Sequence, residues 1–259
     1  MLPFLFVNIL NNKHVRVCVA QNVRKNIRLW KNLSKNKFLP LFLKKYLCRH
    51  ISRIMTELIF TRHGQTEWNV ARKMQGQQDS PLTEMGLSQA RVLGAYLRDK
   101  EISAIYSSSL PRAERTATII MKETGLAGIH LSDELREINL ADLEGKSFAR
   151  ATEEDPARMD AFGSNPSAFI PGPGGEKFDE VQKRALNFVL PLFEAHRGER
   201  VLIVTHAVIL RLIMAYFEKI SVDDYWKLHG FFYPCSISRV AMENGEYTLL
   251  ERNSIEYTK

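Results

Sequence analysis

Arg62-His63-Gly64 sets an always-charged guanidinium beside an imidazole, directly behind the apolar stretch Leu58 to Thr61. Open α/β sheets meet their ligands at the carboxyl ends of strands, so the triplet marks a candidate site. A lone histidine there has four readings: nucleophile, general base, metal ligand or satisfied core residue. The adjacent arginine calls for an anionic partner. A nucleophilic imidazole has to be neutral at the attacking nitrogen. Its other nitrogen must then donate to something fixed, most simply a backbone carbonyl. A second histidine, His206, ends the apolar run Val201 to Thr205, and it shares an edge with His63 if the two strands are parallel. Arg112 falls in the first turn of the helix that follows Ser107-Ser108-Ser109, where backbone N–H groups and the helix dipole favour an anion. Arg115, one turn on, competes with it. This donor set suits a tetrahedral dianion better than a carboxylate. Phosphoryl transfer to histidine also needs an acid for the leaving oxygen and then a base for water. One carboxyl does both if partial burial moves its pKa toward neutrality. Glu137 is the preferred candidate, with Glu134 and Glu144 as rivals. No HxH, HExxH or DxH spacing suggests a metal cage, so neither metal nor cofactor is expected.

The elements that must position these groups alternate between strand and helix. Glu57 to Thr61 reads as a buried strand. Ser80 to Glu84 opens a helix with Thr83 as N-cap, running to about Lys100 with Leu87, Ala90, Leu93, Gly94 and Leu97 inward. Ile102 to Ser107 is the next strand. Pro111 suits the first turn of a helix whose inner face is Ala113, Ala117 and Ile120. Ile129 to Ser132 is a short strand. Glu176 to His196 is helical, Val201 to Thr205 has the continuous apolar run of a central parallel strand, and Val208 to Phe217 is a helix. Ser236 to Met242 and Tyr247 to Leu250, joined by Asn244-Gly245, read as a hairpin. The expected class is therefore α/β, a three-layer α/β/α sandwich with a mostly parallel sheet and helices on both faces. Between Gly145 and Gly175, Pro156, Pro166, Pro171 and Pro173 interrupt the pattern. That stretch reads either as a lid-like insertion that selects substrate or as a surface excursion packed by its own aromatics.

Charge separates the chain into two parts. Residues 1–56 hold 12 of the 36 Lys and Arg and none of the 29 Asp and Glu, so the remainder carries 24 basic against 29 acidic residues, a net −5. The basic balance thus belongs to the amino-terminal segment, and no nucleic-acid partner is expected for the body. Residues 1–54 have four readings: a transit peptide, a membrane-surface helix around Phe38 to Lys45, a disordered basic arm, or sequence upstream of a start at Met55. The domain is expected over 55–259, with no catalytic role before Met55. Cys18, Cys48 and Cys235 show no pairing pattern, which fits reduced thiols and a cytoplasmic location. No apolar run is long enough for stable membrane insertion. Oligomeric state is left open.

The motifs together resemble the histidine phosphatase superfamily, the phosphoglycerate mutase-like proteins. The resemblance rests on Arg62 to Asn69, Gln75 to Thr83, Ser107 to Ala117, Leu135 to Gly145 and Val204 to His206, and it extends from about Met55 to the carboxyl end. Within that family the chain looks most like the small broad-specificity phosphatases of bacteria. The resemblance implies a metal-independent phosphomonoester hydrolase with a phosphohistidine intermediate, acting on a small phosphorylated metabolite. It makes His63 the nucleophile and Glu137 the acid, with Arg62, Asn69, Arg112 and His206 on the phosphate and Gln75, Gly76 and Ala207 around the substrate. Ala207 stands where the family usually has glycine, and Ala141 and Leu143 stand where it often has glycine and tryptophan, which touches substrate preference. A phosphoglycerate mutase, an α-ribazole phosphate phosphatase and a catalytically silent binding module are the alternatives.

Overall fold

A computed structural model describes residues 7–10, 14–17 and 55–258. The chain divides into two units, Met1–Arg53 and Ile54–Lys259. In the first unit the described residues are two antiparallel strands, β1 (Val7–Leu10) and β2 (His14–Val17), with Val7 opposite Val17. The membrane-surface helix considered for 38–45 lies outside the described residues.

The second unit is built on a six-stranded sheet in the order β5-β4-β6-β3-β7-β8. Its strands are β3 (Thr56–Arg62), β4 (Ile102–Ser108), β5 (His130–Ser132), β6 (Arg200–Thr205), β7 (Ile237–Glu243) and β8 (Glu246–Ser254). The first four are mutually parallel, and β7 and β8 add an antiparallel hairpin at one side. Alternating side chains feed two cores, because successive residues of a strand face opposite ways. Leu58 and Phe60 of β3 join Val201 and Ile203 of β6 in one core. Ile59, Leu202 and Val204 face the other. The second core is closed by α2 (Glu84–Leu97) and α3 (Pro111–Thr124), through Ala90, Leu93, Leu97, Ala113, Ala117 and Ile120. The first is closed by α6 (Phe178–Ala195) and α7 (Ala207–Glu218). This is the expected sandwich.

Most local expectations hold within a residue or two. Thr83 caps α2 by accepting from the Gly86 N–H. The helix stops at Leu97, not Lys100, and strand β8 runs on past Leu250 to Ser254. Asn244 and Gly245 both have positive φ, the requirement of the tight hairpin turn that joins β7 to β8. Four helices were not anticipated. Glu67–Val70 forms a one-turn helix, α1, inside a stretch read as loop, because Thr66 and Asn69 build a capping box. Residues 145–175 contain two short helices, α4 (Phe148–Glu154) and α5 (Pro156–Ser164). Pro156 sits in the first turn of α5, where it starts the helix instead of breaking it. Finally, Val222–Leu228 forms α8, capped by Ser221.

Candidate active site

Parallel pairing sets the site. Arg62 of β3 is opposite Thr205 of β6, and the His63 N–H donates to the Thr205 carbonyl at 3.0 Å. The residues that follow both strands therefore emerge at one sheet edge, and the imidazole centroids of His63 and His206 are 5.2 Å apart. Gly64 lets the chain turn close to the start of α2: a Cβ there would lie 2.5 Å from the Gly86 carbonyl oxygen. The Gly64 N–H donates to Thr116 Oγ1, which ties the strand end to α3.

His63 is buried, and its Nδ1 lies 2.7 Å from the Gly64 carbonyl oxygen. A carbonyl only accepts, so Nδ1 carries the proton and Nε2 presents a lone pair. Burial, then the charges of Arg112 and Arg62, hold this imidazole well below its usual pKa. The Arg112 Nε–H donates to His63 Nε2 at 3.3 Å. The rest of the Arg112 guanidinium is fixed by the Gly76 and Gln78 carbonyls and by Asp79. Burial lowers the Arg112 pKa, against the raising effect of Glu137 and Asp79. Arg62 donates from Nη1 to the Phe232 carbonyl at 2.8 Å, while its Nε is buried with no partner among the described residues. Burial brings this guanidinium down to about 10. His206 is fully buried, 2.7 Å from Ser108 Oγ through Nε2, and its Nδ1 has no partner among the described residues. Its pKa is also held well below the usual value, by burial first and then by Arg112.

Glu137 lies on the other side of the site, buried at the amino end of α7. Its Oε1 accepts from the Ile138 and Ile209 N–H groups and its Oε2 from Val208 N–H, at 3.0, 3.3 and 3.0 Å. The rival acids go elsewhere. Glu134 is exposed, and Glu144 braces the 76–78 loop by accepting from the Gln77, Gln78 and Leu140 N–H groups. Arg115 is exposed on α3, whereas Arg112 is buried against His63.

These groups open onto a cavity of about 410 Å³ lined by Arg62, His63, Asn69, Arg112, Glu137 and Ala207, with Gln75 and Gly76 also in its wall. His206 does not reach the cavity surface directly. Asn69 uses its Oδ1 to accept from Thr66 N–H in the capping box. Gln75 bridges Thr66 and Ser80, and so shapes the wall. Apolar walls come from Met74, Ile138, Leu140, Phe148, Phe162 and Phe231. Sequence reasoning missed Asp79 and the Phe232 carbonyl as partners of Arg112 and Arg62, and Ser108 as the partner of His206. Asp79 has a visible signal, since it lies in the Gln75 to Thr83 stretch; a backbone carbonyl has none.

The profile of the histidine phosphatase superfamily (branch 1) matches residues 58–255. The chain belongs to the histidine phosphatase superfamily. Among its relatives, a metal-independent phosphoserine phosphatase of Arabidopsis thaliana is 37% identical over 161 residues, 61% of this chain and 67% of that protein. A probable phosphoglycerate mutase GpmB of Salmonella choleraesuis is 32% identical over 74% of this chain and 88% of its own length. In three dimensions, Bacillus stearothermophilus YhfR superposes with a TM-score of 0.75 at 40% identity, covering 79% of this chain and all of that one (100%). A mycobacterial glucosyl-3-phosphoglycerate phosphatase gives 0.70 at 28% identity, over 76% and 98%. As a member of this family with phosphatase relatives, the chain is a phosphatase. No helix among the described residues is long and apolar enough to cross a membrane.

Proposed function

We propose that this histidine phosphatase hydrolyses small phosphomonoesters in two steps through a phosphohistidine at His63. The observation that carries the reading is the state of His63: Nδ1 donates to the Gly64 carbonyl, so the lone pair of Nε2 is free and meets the Arg112 guanidinium at the cavity. In the first step Nε2 attacks phosphorus, the ester P–O bond breaks, and the leaving oxygen takes a proton from Glu137. In the second, Glu137 removes a proton from water, the water oxygen attacks phosphorus, and the P–N bond breaks to release phosphate. The covalent intermediate divides one hard displacement into two easier ones. Arg62 offers its unpartnered Nε to the phosphoryl oxygens. Arg112 Nε, which now holds the nucleophile, turns from His63 to an oxygen as phosphate enters. Asn69 completes the shell from the cavity wall, and His206, buried beside His63 with its Nδ1 unpartnered among the described residues, joins it from behind that wall as phosphate enters. Donors of this kind aimed at developing charge are each worth about 10²–10³ in rate. Residues 145–175 supply Phe148 and Phe162 to the cavity wall, which supports a lid that selects the leaving group. Residues 55–259 form the catalytic domain in this reading. Cys235 is a free, buried thiol, which accords with the cytoplasmic location expected from the cysteine pattern.

The test is to trap the intermediate. Incubation with a ³²P-labelled small phosphomonoester and quenching in alkali, where phosphohistidine survives, should leave label on the peptide containing His63. His63→Ala should lose both label and turnover. Full turnover in that variant would refute the assignment.

A further inference from the structure

Arg211 is a buried cation that the chemistry above does not use. It lies in α7, one turn beyond Ala207 and Val208 of the cavity wall, and is 3% exposed. No carboxylate pairs with it among the described residues. Burial of a lone charge is costly unless its donors are satisfied, and burial brings this guanidinium down to about 10. All its visible partners lie in one segment, residues 226–231. Arg211 Nη2 donates to the Trp226 and His229 carbonyls at 3.1 and 2.8 Å. Its guanidinium lies 3.7 Å from the centroid of the Trp226 ring and 5.0 Å from that of Phe231. The next residue, Phe232, supplies the carbonyl that holds Arg62 Nη1. Phe231 itself lines the cavity although it is half exposed. From outside, Asn253 holds Phe231 and Tyr233 through the backbone, and Glu218 holds the His229 imidazole.

We propose that Arg211 is a positioning residue for phosphate capture: it pins residues 226–231 against α7, and through the Phe232 carbonyl it fixes the orientation of Arg62. The geometry requires a planar cation. One face stacks on Trp226 while the edge serves two carbonyls, which an ammonium does not reproduce. The inference rests on the role of Arg62 in the proposed function, and the test separates the two.

The full chain is assayed with p-nitrophenyl phosphate, and orthovanadate and inorganic phosphate serve as competitive probes of the oxyanion shell. Arg211→Met should raise both inhibition constants and KM about tenfold, within the range that coupled contacts reach, with a smaller effect on kcat. Arg211→Lys should come close to the same values. In an Arg62→Met background, Arg211→Met should add less than about twofold, because the arginine it positions is already gone. A structural role alone would lower the unfolding midpoint and would add to Arg62→Met independently. If Arg211→Met does not fold, the Arg211→Lys cycle with Arg62→Met carries the test. Vanadate and phosphate inhibition unchanged in the Arg211 variants, or the same Arg211 effect with and without Arg62, would overturn the proposal. Inhibition unchanged by Arg62→Met itself would overturn the role of Arg62 in the proposed function, and with it this inference.

Discussion

Glu137→Gln separates the two halves of the proposed reaction. The carboxylate accepts three backbone N–H groups, two at Oε1 and one, from Val208, at Oε2. Glutamine keeps the shape, and its amide oxygen can serve the Oε1 partners. Its NH₂ then faces the Val208 N–H and leaves that buried donor unpaired, a cost of about 1–3 kcal/mol. That is a fraction of the roughly 5–15 kcal/mol by which domains are stable, so the variant should fold with a lowered urea midpoint. The chemical loss is larger. Removing a positioned acid–base group costs about 10²–10⁴ in rate, and alkyl phosphates, whose alkoxide needs a proton to leave, should lose that whole factor. p-Nitrophenolate leaves without one, so phosphorylation of His63 survives with that ester. Water attack still lacks its base, and the phosphoenzyme should accumulate. A stopped-flow trace should then show a burst of p-nitrophenol approaching one equivalent per active site, followed by slow turnover. Equal losses on alkyl and aryl esters, with no burst, would refute Glu137 as the group that serves both steps.

Acid should destabilise the fold through its buried histidines. His63 and His206 are held well below the usual 6.5, so below pH 6.5 the unfolded chain binds protons that the native chain does not, and stability falls as pH falls. Each group contributes a slope that rises from about 0.7 kcal/mol per pH unit at pH 6.5 toward about 1.4 at lower pH, and His206→Gln should flatten the pH 5.5–6.5 dependence of the urea midpoint; an unchanged slope would refute the linkage. Turnover should be insensitive to EDTA, because Arg62 and Arg112 bring the positive charge to the phosphoryl group. Loss on chelation, restored by a divalent ion, would contradict that.

Where the sequence was legible, one short-range pattern coincided with one structural rule. The continuous apolar run Val201 to Thr205 identified the central strand because a strand buried on both faces cannot alternate; Val201 and Ile203 do face one core while Leu202 and Val204 face the other. Placing Arg62, His63 and His206 at one edge then required only that β3 and β6 be parallel, as they are. Residue type alone did not tell Arg112 from Arg115, since both belong to one helix; the resemblance chose Arg112, and the packing of α3 buries Arg112 against His63 and leaves Arg115 exposed. The prolines of 145–175 misled for a definable reason: Pro156 carries the same signal whether it ends one helix or begins the next, and here it begins α5.

What remained illegible is held by the backbone. Arg62 is oriented by the Phe232 carbonyl, 170 residues away in sequence, and Arg112 by the carbonyls of Gly76 and Gln78. Every residue carries such an acceptor, so no residue type announces which carbonyl will be used. The side chains that bring those carbonyls into place do have identities: Glu144 for the 76–78 loop and, in the proposal above, Arg211 for residues 226–231. Both are buried or braced charges that do not touch the nucleophile. In this fold a charged residue whose hydrogen-bond partners are all backbone is therefore informative, because its location identifies the loop whose position the phosphate site depends on.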